Sequence, residues 1–165
     1  MTPRVHALLG LVLAGLLAGA EARAQAAGSA AAPPPAPAPE QPAPPGPRTG
    51  DAVVDARLAD IDRYAARFPE AFADELVRYF NAPRALVAGQ LEDGQAPGEL
   101  YYACALAHVT GRPCRGVLDA RAAAPGAPWE EIARGLGVEP GGARAARLRE
   151  AIAASYARWA RPLPD

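Results

Sequence analysis

Residues 100–109 read Leu-Tyr-Tyr-Ala-Cys-Ala-Leu-Ala-His-Val, and this stretch decides the fold. It lies between Pro97 and Gly111, residue types that are common at the first turn and just beyond the end of a helix. The stretch has almost no polar face, and a helix of that kind has to be surrounded by other protein. The sequence therefore predicts a helix from Glu99 to Val109 at the centre of a bundle.

The segments on both sides carry apolar residues three or four positions apart, which is the spacing of an amphipathic helix. Asn81 and Pro83 predict the cap and first turn of a third helix. We find no run of alternating β-branched residues and no hairpin turn. We therefore expect an all-α fold, a compact bundle of six or seven short helices with a longer C-terminal helix. The residues expected to face the core outside the central helix are Val54, Leu58, Ile61, Ala65, Phe68, Phe72, Leu76, Tyr79, Phe80, Leu86, Val87, Leu91, Cys114, Val117, Leu118, Trp129, Ile132, Ala133, Leu136, Ala145, Leu148, Ile152, Tyr156 and Trp159.

Residues 1–26 have the pattern of a secretory signal peptide. Arg4 precedes an apolar run over 7–20, and small residues then favour cleavage after Ala24 or Ala26. The run has about 14 residues, fewer than the roughly 20 that span a bilayer. We expect a periplasmic or secreted protein with no stable membrane span after cleavage.

Residues 27–50 contain nine of the 19 prolines of the chain and no large apolar side chain. Such a segment cannot offset its ordering entropy, so we predict a disordered Pro/Ala-rich arm. In this interpretation the arm is a spacer. Alternatively, it binds in an aromatic groove of a partner, or it spans the distance from an uncleaved membrane anchor to the domain. Residues 51–165 are then a single α-helical domain.

The charge balance is close to neutral, with 17 basic and 18 acidic residues and a net charge of −1. This composition gives no electrostatic indication of a nucleic-acid partner. All the basic residues are arginine, and alanine is abundant, a usage typical of high-GC bacterial genomes. We therefore expect a Gram-negative periplasm, or secretion beyond it.

Cys104 and Cys114 lie on consecutive predicted helices, each on a face expected to point inward. An even cysteine count in an exported protein favours a disulfide, which we predict between them. Two buried free thiols are one alternative. A copper or zinc site is another, because His108 shares a helical face with Cys104 and Cys114 could supply a third soft ligand. We expect no cofactor.

Residues 129–148 are similar in spacing to a DNA-binding helix-turn-helix, with an I-A-x-x-L-G-V segment before the last helix. The turn contains Glu-Pro-Gly-Gly over 139–142, and Leu148 falls about one residue late for that motif. Residues 128–165 carry six arginines against five acids, a net charge of +1 that is small for a phosphate-contacting surface. We interpret the helix pair as architecture and expect no nucleic-acid partner.

The stretch from Leu100 to about Trp159 resembles a family of uncharacterised exported α-helical proteins from proteobacteria. The shared pattern is a Tyr-Tyr helix, a glycine turn, a short helix, the segment W-x-x-I-A-x-x-L-G-V-x-P-G and a closing helix. The family pattern has Gly before the Trp and Ser near the last Gly, where this chain has Pro128 and Gly142. The resemblance implies export and an α-helical domain, and it supplies no catalytic residue. The matching residues are Tyr101, Tyr102, Gly111, Trp129, Ile132, Ala133, Leu136, Gly137, Val138, Pro140 and Gly141.

Catalysis would require a nucleophile beside a base, or paired carboxylates in a cleft. Beyond residue 26 the only serines are Ser29 and Ser155, and neither has a histidine nearby in sequence. The paired acids lie where helix N-termini or polar faces explain them. We predict that the protein is not an enzyme. These pairs are Asp60/Asp62, Asp74/Glu75, Glu92/Asp93 and Glu130/Glu131.

The sequence thus favours a protein-interaction or assembly module of the bacterial cell envelope, with another envelope protein as partner. A cell-wall or small-ligand binder that uses exposed aromatic residues is the alternative. Tyr101 and Tyr102 are the candidate binding residues, because neighbours on a helix point about 100° apart and one of the two should be exposed.

Overall fold

The computed structural model describes residues 46–164, which form seven α-helices and no β-strand. The predicted all-α bundle is confirmed; α7, the expected long C-terminal helix, has 16 residues, as many as α1. The predicted signal peptide and most of the predicted arm lie outside the described residues. The helices are α1 Ala52–Arg67, α2 Pro69–Tyr79, α3 Arg84–Glu92, α4 Pro97–Thr110, α5 Cys114–Ala123, α6 Trp129–Gly135 and α7 Ala143–Arg158.

α4 is the central helix, as its apolar sequence predicts. Every residue over 100–107 is at most 2% exposed. α4 packs against α1, α3, α5 and α7. Full burial of a large apolar side chain contributes about 1.5–3 kcal/mol, so this helix is a main source of the stability of the bundle.

The start of α4 approaches α1 closely at Gly98. A Cβ atom there would lie 2.6 Å from the backbone oxygen of Leu58, a distance that real Cβ contacts do not reach. The Gly98 N–H donates to Asp62 Oδ1 at 2.7 Å. A glycine is therefore required where α4 begins.

α1 and α7 run in the same direction, and long side chains bridge them. Arg149 Nε, in the first half of α7, donates at 2.8 Å to Oδ2 of Asp51, the N-cap of α1. Further along, Asp60 accepts from the Tyr156 hydroxyl at 2.8 Å and pairs with Arg161 at 2.9 Å. The first and last helices of the bundle are thus linked at both ends.

Residues 46–50, which the sequence assigns to the arm, lie against the domain. The Glu130 N–H donates to the Arg48 carbonyl at 3.0 Å. Thr49 is 7% exposed, and its N–H and hydroxyl donate to Asp55 Oδ1 at 3.0 and 2.7 Å. These contacts hold the chain beside α6 before Asp51 caps α1.

Cys104 and Cys114 form the predicted disulfide, with Cα atoms 4.5 Å apart. Closing a loop of this size is worth roughly 2–3 kcal/mol in the chain-entropy model. The alternative of two free thiols is wrong. The copper or zinc alternative loses two of its three ligands, because sulfurs bonded to each other are not thiolates.

Two residues expected in the core are exposed. Phe68 is 46% exposed because it ends α1 with non-helical dihedrals, as the residue before Pro69 usually does. Tyr79 is 47% exposed because its neighbour Phe80 occupies the core instead. The third helix also begins differently, since Pro83 is its N-cap and Asn81 adopts a positive φ of 55°.

Candidate functional site

Tyr101 and Tyr102 are both buried, at 0% and 2% exposure, so the expectation that one is exposed is wrong. α4 is covered on all sides, and the 100° between neighbours points each ring at a different partner helix. The Tyr101 hydroxyl bonds to Ser155 Oγ at 2.8 Å. The Tyr102 ring packs edge-on against Trp129 at 5.4 Å. Neither ring offers an aromatic surface for a ligand.

Glu75 is a buried carboxylate, 3% exposed, that α2 places against α7. Arg158 Nε donates to both of its oxygens, at 3.0 and 3.1 Å, and the Ser155 hydroxyl donates to Oε1 at 2.6 Å. Hydrogen bonding to Glu75 raises the pKa of Arg158. The Arg158 guanidinium also lies 3.8 Å from the ring centroid of Tyr79. This ion pair fixes the end of α7 on α2.

An open cleft of about 640 Å³ lies beside this ion pair, at the C-terminal ends of α1 and α7. We call it the aromatic–arginine cleft. Tyr64 stacks on Trp159, with ring centroids 4.2 Å apart, and Phe68 lies 5.2 Å from Tyr64. Its lining residues are Asp60, Arg63, Tyr64, Arg67, Phe68, Trp159 and Arg161.

The aromatic–arginine cleft carries a positive charge, since three guanidiniums face one carboxylate. Burial raises the pKa of Asp60, but hydrogen bonds from Tyr156 and Arg161 outweigh it and the pKa is lowered. Asp60 therefore stays ionised at neutral pH and holds Arg63 and Arg161, at 3.0 and 2.9 Å. Arg67 Cζ lies 5.5 Å from the Phe68 ring centroid.

A second cleft, of about 320 Å³, lies at the N-terminal ends of α1 and α7. We call it the Tyr102 cleft, because the Tyr102 side chain lines it. Its walls include apolar side chains of α6, α7 and the turn between them, and acidic side chains are its main charged groups. Its lining residues include Asp51, Val54, Tyr102, Glu130, Ala133, Val138, Glu139, Leu148 and Arg149.

The helix-turn-helix-like segment forms part of the core and of this cleft. Ile132, Ala133 and Val138 are at most 9% exposed. Arg144 Nη1 donates to the Gly137 carbonyl at 3.0 Å and holds the turn against α7. These contacts agree with an architectural role for the helix pair.

The other predicted candidates do not form a catalytic constellation in the described part of the chain. Ser155 donates to a carboxylate rather than to a histidine, and His108 is exposed beside Phe80, with the ring centroids 5.6 Å apart. Asp60 and Asp62 point to different neighbours, Tyr156 and Gly98.

Two of the remaining acidic pairs are likewise divided between different environments, and both members of the third, Glu92 and Asp93, are exposed. Glu75 is buried, whereas the side chain of Asp74 is 37% exposed and pairs with arginines. Glu130 bonds to Arg134 at 2.6 Å, and its neighbour Glu131 is exposed.

The sequence named Tyr64 and Trp159 among the aromatic residues of the cell-wall or small-ligand alternative, but it did not single out Phe68 or Arg161. One signal was available, because Phe68 directly precedes a proline and need not follow the helical spacing. The Tyr-Ala-Arg-Trp-Ala-Arg segment over 156–161 also placed two rings and two guanidiniums at the end of one helix.

Comparison of the chain with protein-family models, curated proteins and solved structures gives no match. Over residues 46–164, no helix combines the length and apolar character needed to cross a bilayer. The same residues contain no group of three His, Cys, Asp or Glu side chains arranged to hold a metal ion.

Proposed function

We propose that this protein is a non-catalytic interaction module of the bacterial cell envelope that binds another envelope protein through the aromatic–arginine cleft. The observation that carries the proposal is Phe68, 46% exposed beside the stacked Tyr64 and Trp159. Aromatic rings and arginines together are the side chains enriched at the energetic centres of protein interfaces.

The charge of the cleft specifies the partner. Arg63, Arg67 and Arg161 against Asp60 leave a net charge of +2. A complementary partner segment carries carboxylates on both sides of one large apolar side chain, which packs on Phe68. Opposite charges across an interface raise the association rate and exclude basic competitors.

The cleft is also held in shape before any partner arrives. Asp60 bonds to Arg161 and Arg63, and the Tyr64 ring is fixed between Trp159 and Phe68. Groups that are already ordered lose less conformational entropy on binding, so more of the contact energy contributes to affinity.

Export is the other part of the proposal, and it rests on the signal-peptide pattern of residues 1–26. The protein then acts in the periplasm or outside the cell, where the Cys104–Cys114 disulfide is chemically stable.

A site-specific photo-crosslinking experiment tests the proposal on the full-length protein in cells that express it. Phe68 is replaced by photoreactive p-benzoylphenylalanine, and a matched protein carries the same group at Val53, an exposed residue at the other end of α1. We expect one envelope-protein adduct from position 68 and none from position 53. Arg67→Glu should reduce its yield at least about fivefold, and Arg115→Glu, which reverses an exposed charge on α5, should not.

The outcomes are distinct. Equal adducts from positions 53 and 68, or no adduct from 68, would remove the cleft as the binding surface. An adduct that Arg67→Glu leaves unchanged would disprove the acidic partner segment. An adduct with a cytoplasmic protein would disprove the envelope location.

A further inference from the structure

Tyr102 is a buried side chain whose hydroxyl opens into a cavity. The residue is 2% exposed and lines the Tyr102 cleft. Within residues 46–164 its hydroxyl makes no hydrogen bond, in contrast to its neighbour Tyr101, which bonds to Ser155. The hydroxyl oxygen is not among the fully buried unbonded polar atoms of the described residues, so it faces the space of the cleft and is free to bond a molecule that enters it.

The groups around this hydroxyl are mainly negative. Burial and then the charges of Asp55, Asp51 and Glu130 raise the pKa of Tyr102, so its hydroxyl stays neutral. Asp55 accepts its two hydrogen bonds from Thr49, which carries no charge.

The two nearby arginines do not balance the carboxylates. Arg149 pairs with Asp51 at 2.8 Å. Arg134 serves both Glu130 and Glu139, at 2.6 and 3.8 Å. Among the lining residues, Asp51, Glu130 and Glu139 are acidic and only Arg149 is basic, so the lining of the cleft is net negative.

Glu130 still has an oxygen at the mouth of the cleft. Its Oε1 accepts from Arg134. Its Oε2 lies over Gly50, so a Cβ atom built on Gly50 would be 3.1 Å from this oxygen. Gly50 has a φ of +80° and leaves the space that this carboxylate occupies. The wall opposite is apolar and includes Val138 and Leu148, both at most 5% exposed.

We infer that the Tyr102 cleft binds a primary ammonium group carried on a short aliphatic chain. The ammonium donates to the Tyr102 hydroxyl oxygen and to Glu130, and the aliphatic chain packs on Val138 and Leu148. The protein contains no lysine, so an ammonium borne by a lysine side chain comes from another molecule. This site is separate from the aromatic–arginine cleft and does not depend on its function.

The test is a titration of the ¹⁵N-labelled full-length protein followed by NMR. The probes are n-butylammonium, its neutral and anionic counterparts n-butanol and butyrate, and Nα-acetyl-lysine methylamide for a lysine side chain. We expect saturable shifts around Tyr102 and Val138 with n-butylammonium, and affinity at least about tenfold weaker for the other two butyl probes. Saturation by the lysine derivative would assign the ligand to a polypeptide, and its failure to a free amine.

Variants assign the contacts. Tyr102→Phe keeps the ring and removes the hydroxyl, so we expect about fivefold weaker binding without loss of fold. Glu130→Gln should weaken binding about tenfold, whereas Glu92→Gln, an exposed carboxylate on α3, should leave it unchanged. Non-saturating shifts, equal binding of n-butanol, or full affinity in Tyr102→Phe would overturn the inference.

Discussion

The two ends of the α1 and α7 pair differ in charge and in how far their aromatic rings are covered. The C-terminal end is rich in arginine, the hydroxyls of Tyr101, Ser155 and Tyr156 are hydrogen-bonded there, and the Phe68 ring is exposed beside the buried Tyr64. The N-terminal end is acidic and covers its aromatic ring, but leaves the Tyr102 hydroxyl unbonded within the described residues. Acids near helix N-termini and arginines near helix C-termini interact favourably with the helix dipoles, which explains the sign of the charge at each end. The dipoles do not explain the exposed Phe68 ring or the unbonded Tyr102 hydroxyl. These two features are the basis for a binding site at each end.

The largest effect should come from breaking the ion pair at the C-terminal end. Arg158→Ala leaves the Glu75 carboxylate buried without its cation, and we expect a loss of about 3 kcal/mol in the free energy of unfolding. Urea denaturation followed by circular dichroism measures it.

Arg63 is the matched control for this variant, because its side chain is 68% exposed where it meets Asp60. Exposed pairs contribute about 0–1 kcal/mol, so Arg63→Ala should lose far less. Similar losses in the two variants would show that the Glu75–Arg158 pair is not buried in solution.

A smaller, pH-dependent effect should separate two carboxylates of α1. The pKa of Asp60 is lowered in the folded protein, so its charge stabilises the fold above about pH 4 and this contribution is lost as the pH falls through the folded value. We expect Asp60→Asn to cost about 1–2 kcal/mol at pH 7 and progressively less as the pH falls through the folded pKa of Asp60. Urea denaturation at a series of pH values measures the difference.

Asp62 supplies the opposite case on the same helix. Its pKa is raised, chiefly by burial, so folding disfavours its ionised form relative to the unfolded chain. Asp62→Asn keeps an acceptor for the Gly98 N–H and should be at least as stable as the unchanged protein at pH 7.

For Asp60→Asn, a loss of stability that does not depend on pH would mean that the charge of Asp60 does not stabilise the fold.

The smallest effect, and the sharpest contrast between the two ends, concerns adjacent tyrosines. Tyr101→Phe breaks the bond to Ser155 and should lose about 1 kcal/mol. Tyr102→Phe removes a hydroxyl with no partner and should be neutral or slightly stabilising. Thermal denaturation of the two variants side by side measures this difference. Equal losses would show that Tyr102 has a hydrogen-bond partner in solution.

Local patterns were sufficient to predict much of the fold. The continuous apolar surface of residues 100–109 required a central helix, and proline and glycine positions divided the other helices. The disulfide was predictable because Cys104 and Cys114 flank a single turn. In each case the deciding residues lie within a few turns of one another in sequence.

The candidate sites depend on contacts that spacing does not reveal. Arg158 and Glu75 are 83 residues apart, and Arg161 and Asp60 are 101 residues apart. The sequence contained these charges but not their pairing. It also could not show that Tyr101 and Tyr102 would both be covered, since that depends on how many helices surround α4.

The linkage of α1 and α2 to α7 has a consequence for the order of folding. The carboxylates of Asp60 and Glu75 pair with Arg161 and Arg158, which the ribosome adds 101 and 83 residues later. A shortened product that ends before residue 158 keeps Arg63 beside Asp60 but would have to bury the Glu75 carboxylate without its cation, or stay open to proteases. Synthesis of α7 through Arg158 is thus a condition for packing α2 with its buried carboxylate neutralised.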